Sequence, residues 1–184
     1  MIRENGGRYS NINLDISHRC TLLCSGCMRQ RTYHDKPVPG HDMTIEEFDK
    51  ITDFFPNITC CGQRSDPVMN NNLPQFITIA NTKGVHLQIN TAVSHRPERW
   101  FRECFDRFGE GRWIFCIDGL PKDSGKYRIN QNGKKMYKMM ALASSMGIEC
   151  GWQYIVFRYN ENDIEEATQM AKDINVRLQI QISN

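Results

Sequence analysis

Apolar positions along the chain follow two rhythms. Short runs of β-branched or alternating residues occur at 9–16, 58–61, 85–90, 113–117, 150–157 and 177–182, and such runs read as strands. Between them apolar residues recur at helical spacing. Thr44-Ile45-Glu46-Glu47 is a capping box, after which Ile45, Phe48 and Ile51 fall on one stripe. Residues 73–83 read as a helix closed by Gly84, and 97–108 carry Phe101, Cys104, Phe105 and Phe108 on one face before Gly109. Residues 134–146, ending at Gly147, and 163–174 complete the helices, with Met136, Met139, Met140 and Met146 read as core. About six strands alternating with about five helices are the mark of repeated β-α units and a parallel sheet. An open doubly wound sheet and a full or partial β/α barrel both fit this pattern, and both place chemistry at the C-terminal ends of strands.

Composition narrows the class. The 184 residues are 40% hydrophobic and 24% charged, enough for one domain with a buried core. A formal charge of +2 excludes an overall polybasic grip on nucleic acid. No apolar run approaches the roughly 20 residues of a membrane span, and Met1–Gly7 lacks the apolar stretch of a secretory signal. The expectation is a soluble, cytoplasmic protein. The sequence stops at Ser183-Asn184, just after the last strand-like run. A further helix usually follows there, so the chain is expected to be either a minimal protein or a piece of a longer one.

Eight cysteines without an export signal are not expected to form structural disulfides. Cys60, Cys61, Cys104, Cys116 and Cys150 are scattered and read as small buried hydrophobes. Cys20, Cys24 and Cys27 instead form a C-x3-C-x2-C cluster directly after the first strand. Three thiolates on a short loop can bind three irons of a cubane cluster, with Gly26 easing the backbone before the last ligand. No fourth cysteine follows closely, so one iron is left open, as in reactive sites. The same residues admit a zinc site completed by His18 or His34. With Arg29, Arg31 and Tyr33, that would make a non-catalytic zinc-binding nucleic-acid module.

The C-x3-C-x2-C spacing after a first strand resembles the signature of the radical S-adenosylmethionine (SAM) superfamily. The resemblance implies a [4Fe-4S] cluster on Cys20, Cys24 and Cys27, with the amino and carboxylate groups of SAM chelating the fourth iron. Reductive cleavage then yields methionine and a 5′-deoxyadenosyl radical that abstracts hydrogen from a substrate. The residue before the last cysteine is commonly aromatic in that family, and here it is Gly26. The segment Cys61-Gly62-Gln63-Arg64-Ser65-Asp66-Pro67 is similar to the family's Gly-Gly-Glu-Pro stretch. That implies SAM contacts from Gln63, Ser65 and Asp66, the last supplying charge to the ammonium. By itself the segment is a Ser-Asp-Pro turn with Asp66 capping the next backbone.

Asn90-Thr91 is similar to a polar strand end that contacts SAM in the family. Cys116-Ile117-Asp118-Gly119 and Tyr127-Arg128 are similar to segments of its SPASM and twitch branch. This implies Asp118 on the substrate or ribose side and Arg128 on the SAM carboxylate. Without the resemblance these are an ordinary turn and a solvated charge. Gln153 is placed to reach into the barrel.

The resemblance runs from about Tyr9 to the last strand. It implies an α/β fold, a partial (β/α)6 TIM-like barrel with a parallel sheet and outer helices. Residues 1–184 would be one radical SAM core domain, its C-terminal auxiliary-cluster extension absent or removed. The implied partners are a reductant protein such as flavodoxin or ferredoxin and a peptide, protein or small-molecule substrate; neither membrane nor nucleic acid is expected. A glycyl-radical-enzyme activase is the alternative enzyme, to which Cys24-Ser25-Gly26-Cys27 looks similar.

Overall fold

Six parallel strands lie side by side in the order in which the chain makes them. They are β1 (Asn11–Leu14), β2 (Asn57–Cys61), β3 (His86–Thr91), β4 (Gly111–Cys116), β5 (Glu149–Val156) and β6 (Arg177–Ile182). The helices are α1 (Met28–Tyr33), α2 (Ile45–Thr52), α3 (Leu73–Thr82), α4 (Glu98–Arg107), α5 (Gly133–Ser145) and α6 (Ile164–Asp173). The computed structural model describes residues 10–33, 36 and 38–182. Tyr9, His34 and the terminal Ser183-Asn184 lie outside the described residues.

Strand order decides between the two architectures the sequence left open. A doubly wound sheet reverses its strand order at a switch point. Here the order runs from β1 to β6 without reversal, so right-handed crossovers carry the connecting helices to one face. The sheet is therefore barrel-like, and among the described residues β1 and β6 are its edges. No helix among those residues is long and apolar enough to cross a membrane.

Register separates two faces. Cys60, Ile89, Trp113 and Cys150 align across β2 to β5 on the helix side, and all four are buried. Trp113 is the centre of this layer, with the rings of Phe101, Phe105, Phe108 and Phe115 between 5.1 and 6.5 Å away. Phe48 of α2 stacks on Phe76 of α3 at 4.4 Å. The other face is more polar: Cys61 aligns with Asn90, and Cys116 with Gln153 and Gln179.

Local chemistry sets the helix ends. Thr44 Oγ1 accepts the Glu47 N–H at 3.2 Å, and the Glu47 carboxylate accepts the Thr44 N–H at 2.8 Å, so the capping box is present. Gly84 has φ +64°, which lets Val85 N–H bond Ala80 O at 2.8 Å and close α3. Met136, Met139 and Met140 are buried in the core, but Met146 is 38% exposed. α5 has ended by Ser145, so Met146 lies beyond the turn that faces the sheet. α1 has no counterpart in the sequence reading; it is six residues long and buries none of them.

Candidate active site

β1 delivers the chain to the cysteine loop, and that loop is tied down on two sides. Arg19 pairs with Asp42 and donates to Met69 O at 2.9 Å, while its own carbonyl accepts the Asp66 N–H at 3.0 Å. Across the loop, Leu23 N–H bonds Ile129 O at 3.1 Å and Asn130 Nδ2 donates to Thr21 O at 3.2 Å. The segment after β4 therefore clamps the cysteine loop. His18 faces Asp42, its Nδ1 3.2 Å from the carboxylate.

Cys20, Cys24 and Cys27 line one cavity of about 340 Å³ at the C-terminal ends of the strands. Gln63, Ser65, Asp66, Asn90, Arg128 and Gln153 share that lining. Arg29, Cys61, Gly62, Cys116 and Tyr127 also face it, although the sequence reading gave them no place in the SAM site. Alternation along β2 and β4 could have found Cys61 and Cys116, since each ends the inward-facing register of its strand. Asp118 lies outside the lining: it is fully buried and sits behind Arg128.

The turn after β2 is close-packed. A Cβ on Gly62 would sit 2.0 Å from Ser65 O, so only glycine fits there. Asp15 fastens the turn by accepting the Gln63 N–H at 2.7 Å and the Ser65 hydroxyl at 3.4 Å. The Asp66 carboxylate accepts from Val68 N, Thr91 Oγ1, Ala92 N and Val93 N at 2.8–3.2 Å. Burial pushes this carboxyl up against the pull of those donors. Its side chain thus does what the Ser-Asp-Pro turn reading expects, and it also locks the end of β3.

Asp118 organises the opposite wall. Its Oδ2 lies 2.7 Å from Arg128 Nε, and its Oδ1 accepts the Ile155 N–H at 2.8 Å. Burial works against the Arg128 charge, but Cys116, Asp118 and Cys24 together push its pKa up. Asn90 is oriented by a chain from the barrel interior: Arg112 Nε donates to Gln88 Oε1 at 2.6 Å, and Gln88 Nε2 donates to Asn90 Oδ1 at 2.8 Å. The Asn90 side chain also bonds the Cys61 thiol, and both residues line the cavity.

The donor set fits an iron–sulfur cluster. Burial, helped by Asp66, pushes the Cys20 thiol up to about 12; burial also raises Cys24, with Arg128 opposing. These groups stay protonated until a metal displaces the proton. A cubane takes each thiolate on a different iron, whereas one zinc needs four ligands converging at about 2.0–2.3 Å. Among the described residues no three His, Cys, Asp or Glu side chains are grouped to hold a single ion.

No protein-family model and no curated protein sequence matches the chain. Solved structures do. SuiB of Streptococcus suis, bound to the precursor peptide SuiA, superposes with a TM-score of 0.78 at 10% identity over 95% of this chain and 39% of SuiB. The tagged anSMEcpe with bound AdoMet gives 0.72 at 13% identity, over 94% of this chain and 49% of that one. Methylornithine synthase (PylB) gives 0.64 at 14% identity, over 94% and 53%. The chain spans about two fifths to half of the length of these proteins. At such identities the likeness is one of fold: the partial β/α barrel of this chain is shared with the corresponding part of each of these proteins.

Proposed function

We propose that residues 1–184 form the core domain of a radical SAM enzyme. One observation carries this reading: the thiols of Cys20, Cys24 and Cys27 share a single cavity with the 62–66 turn, Asn90 and Arg128. The three cysteines would hold a [4Fe-4S] cluster, and the turn and Asn90 would flank SAM. When bound, these cofactors supply reductive cleavage of SAM to a 5′-deoxyadenosyl radical that abstracts hydrogen from a substrate.

The chain's own residues prepare the site for that chemistry. Asp66 fixes the turn against the end of β3. Asp118 holds Arg128 against the wall, and Tyr127 narrows the mouth beside Gly26. A peptide or protein is the substrate class we favour, supported by the precursor peptide bound to SuiB, the neighbour with a TM-score of 0.78. A flavodoxin- or ferredoxin-type protein would deliver the electron.

Anaerobic reconstitution with iron and sulfide, then reduction with SAM, tests the reading. Formation of 5′-deoxyadenosine by the wild type, and none by Cys24→Ala, supports it. A colourless protein that takes up zinc instead sinks it.

A further inference from the structure

Three cationic side chains line the cavity, and they differ in what they already touch. Arg128 is paired with Asp118 at 2.7 Å. Arg64 donates to the Tyr33 hydroxyl at 3.0 Å. Among the described residues no carboxylate pairs with Arg29, and its Nε is buried without a hydrogen bond, as is that of Arg128 despite its ion pair. The one acidic side chain in the lining, Asp66, is engaged by four protein donors. Among the described residues the cavity thus presents a guanidinium without a counter-anion. A partly buried guanidinium in that state gains from an anion that pairs with it.

Position identifies the missing anion. Arg29 stands two residues after Cys27 and lines the same cavity as Cys20, Cys24 and Cys27. Its anion must therefore lie against the cysteine loop, where the proposed function puts the amino-acid end of SAM. The planar guanidinium fork matches a carboxylate, which can accept two parallel N–H donors. Arg128 already has a counter-anion in Asp118, 2.7 Å from its Nε.

We propose that Arg29 receives the carboxylate of SAM and that Arg128 is a positioning residue in the cavity wall. This rests on the reading of the chain as a SAM-binding core. It departs from the family resemblance, which gives the carboxylate to Arg128.

Anaerobic calorimetry on the cluster-loaded protein separates the two levels of the argument. The ligands are SAM and 5′-methylthioadenosine, which keeps the adenosine and lacks the carboxylate. Arg29→Gln should weaken SAM binding roughly 10- to 100-fold, the range for losing a hydrogen bond to a charged group. Its affinity for 5′-methylthioadenosine should stay within about twofold of the wild type. Arg29→Lys, which keeps the charge and gives up the fork, should fall between the wild type and Arg29→Gln for SAM. Wild-type SAM affinity in both variants overturns the role of Arg29 and leaves the SAM-binding core standing, as does an equal loss for both ligands. A wild-type protein that binds neither ligand overturns both.

Discussion

The Tyr127 hydroxyl occupies the space beside Gly26: a Cβ added to Gly26 would meet it at 2.9 Å. The segment after β4 thus places an aromatic ring against the cysteine loop. Its next atoms would be 3.5 and 3.6 Å from that Cβ, an ordinary contact. Gly26→Ala should therefore destabilise the protein by about 1 kcal/mol through overpacking. Adding Tyr127→Phe, which removes only the oxygen, should restore most of the loss. Urea midpoints of the two single variants and the double variant form the cycle; strictly additive effects would show that the hydroxyl is not the obstacle.

Asp118 and Arg128 form a pair in which the carboxylate is wholly buried and the guanidinium side chain 13% exposed. Removing one partner strands the other. Asp118→Ala should cost about 3–5 kcal/mol, and an apolar replacement of both residues less than either single change. Chemical denaturation measures this, and a loss under about 1 kcal/mol in Asp118→Ala would contradict the pairing.

Alkaline pH should weaken the metal-free protein. Burial holds the Cys60, Cys116 and Cys150 thiols up at about 12, against an ordinary value of 9.0. Between those values the folded chain keeps protons that the unfolded chain has released, so stability falls as pH rises from about 9 toward 12. Comparing urea midpoints at about pH 8 and about pH 10 checks the sign, and a higher midpoint at the upper pH would contradict it.

The cysteines should divide by position. Alanine at Cys20, Cys24 or Cys27 should abolish the brown chromophore after reconstitution. Cys150→Ala, on the helix side of β5, should keep the chromophore and cost about 1 kcal/mol of stability. Visible absorbance and iron content distinguish the classes; normal iron loading in Cys24→Ala would remove the loop as the cluster site.

Much of this was legible in the sequence, for identifiable reasons. Alternation located all six strands, and Thr44 and Gly84 marked helix ends because caps are local chemistry. Strand order was hidden, since periodicity does not say which strand lies beside which. α1 was missed because six residues with no buried face leave no hydrophobic stripe. The cysteine motif, the 62–66 turn and Arg128 line one cavity. Asp118-Gly119 looked like a cavity edge, but the carboxylate is turned under Arg128, which arrives ten residues later. Arg29 entered the sequence reading only with Arg31 and Tyr33, as part of the alternative zinc-binding module. What sets it apart is that no carboxylate pairs with it among the described residues, and only three-dimensional structure reveals that.

The clamp between the cysteine loop and Ile129-Asn130 also has a timing. During synthesis the three cysteines emerge about a hundred residues before Tyr127 and Arg128. At about 5–20 residues per second, the thiols spend roughly 5–20 s without the wall that will cover them. In that interval the nascent loop is open to whatever delivers iron and sulfide, and equally open to oxidants. Once the segment after β4 docks, both routes narrow together.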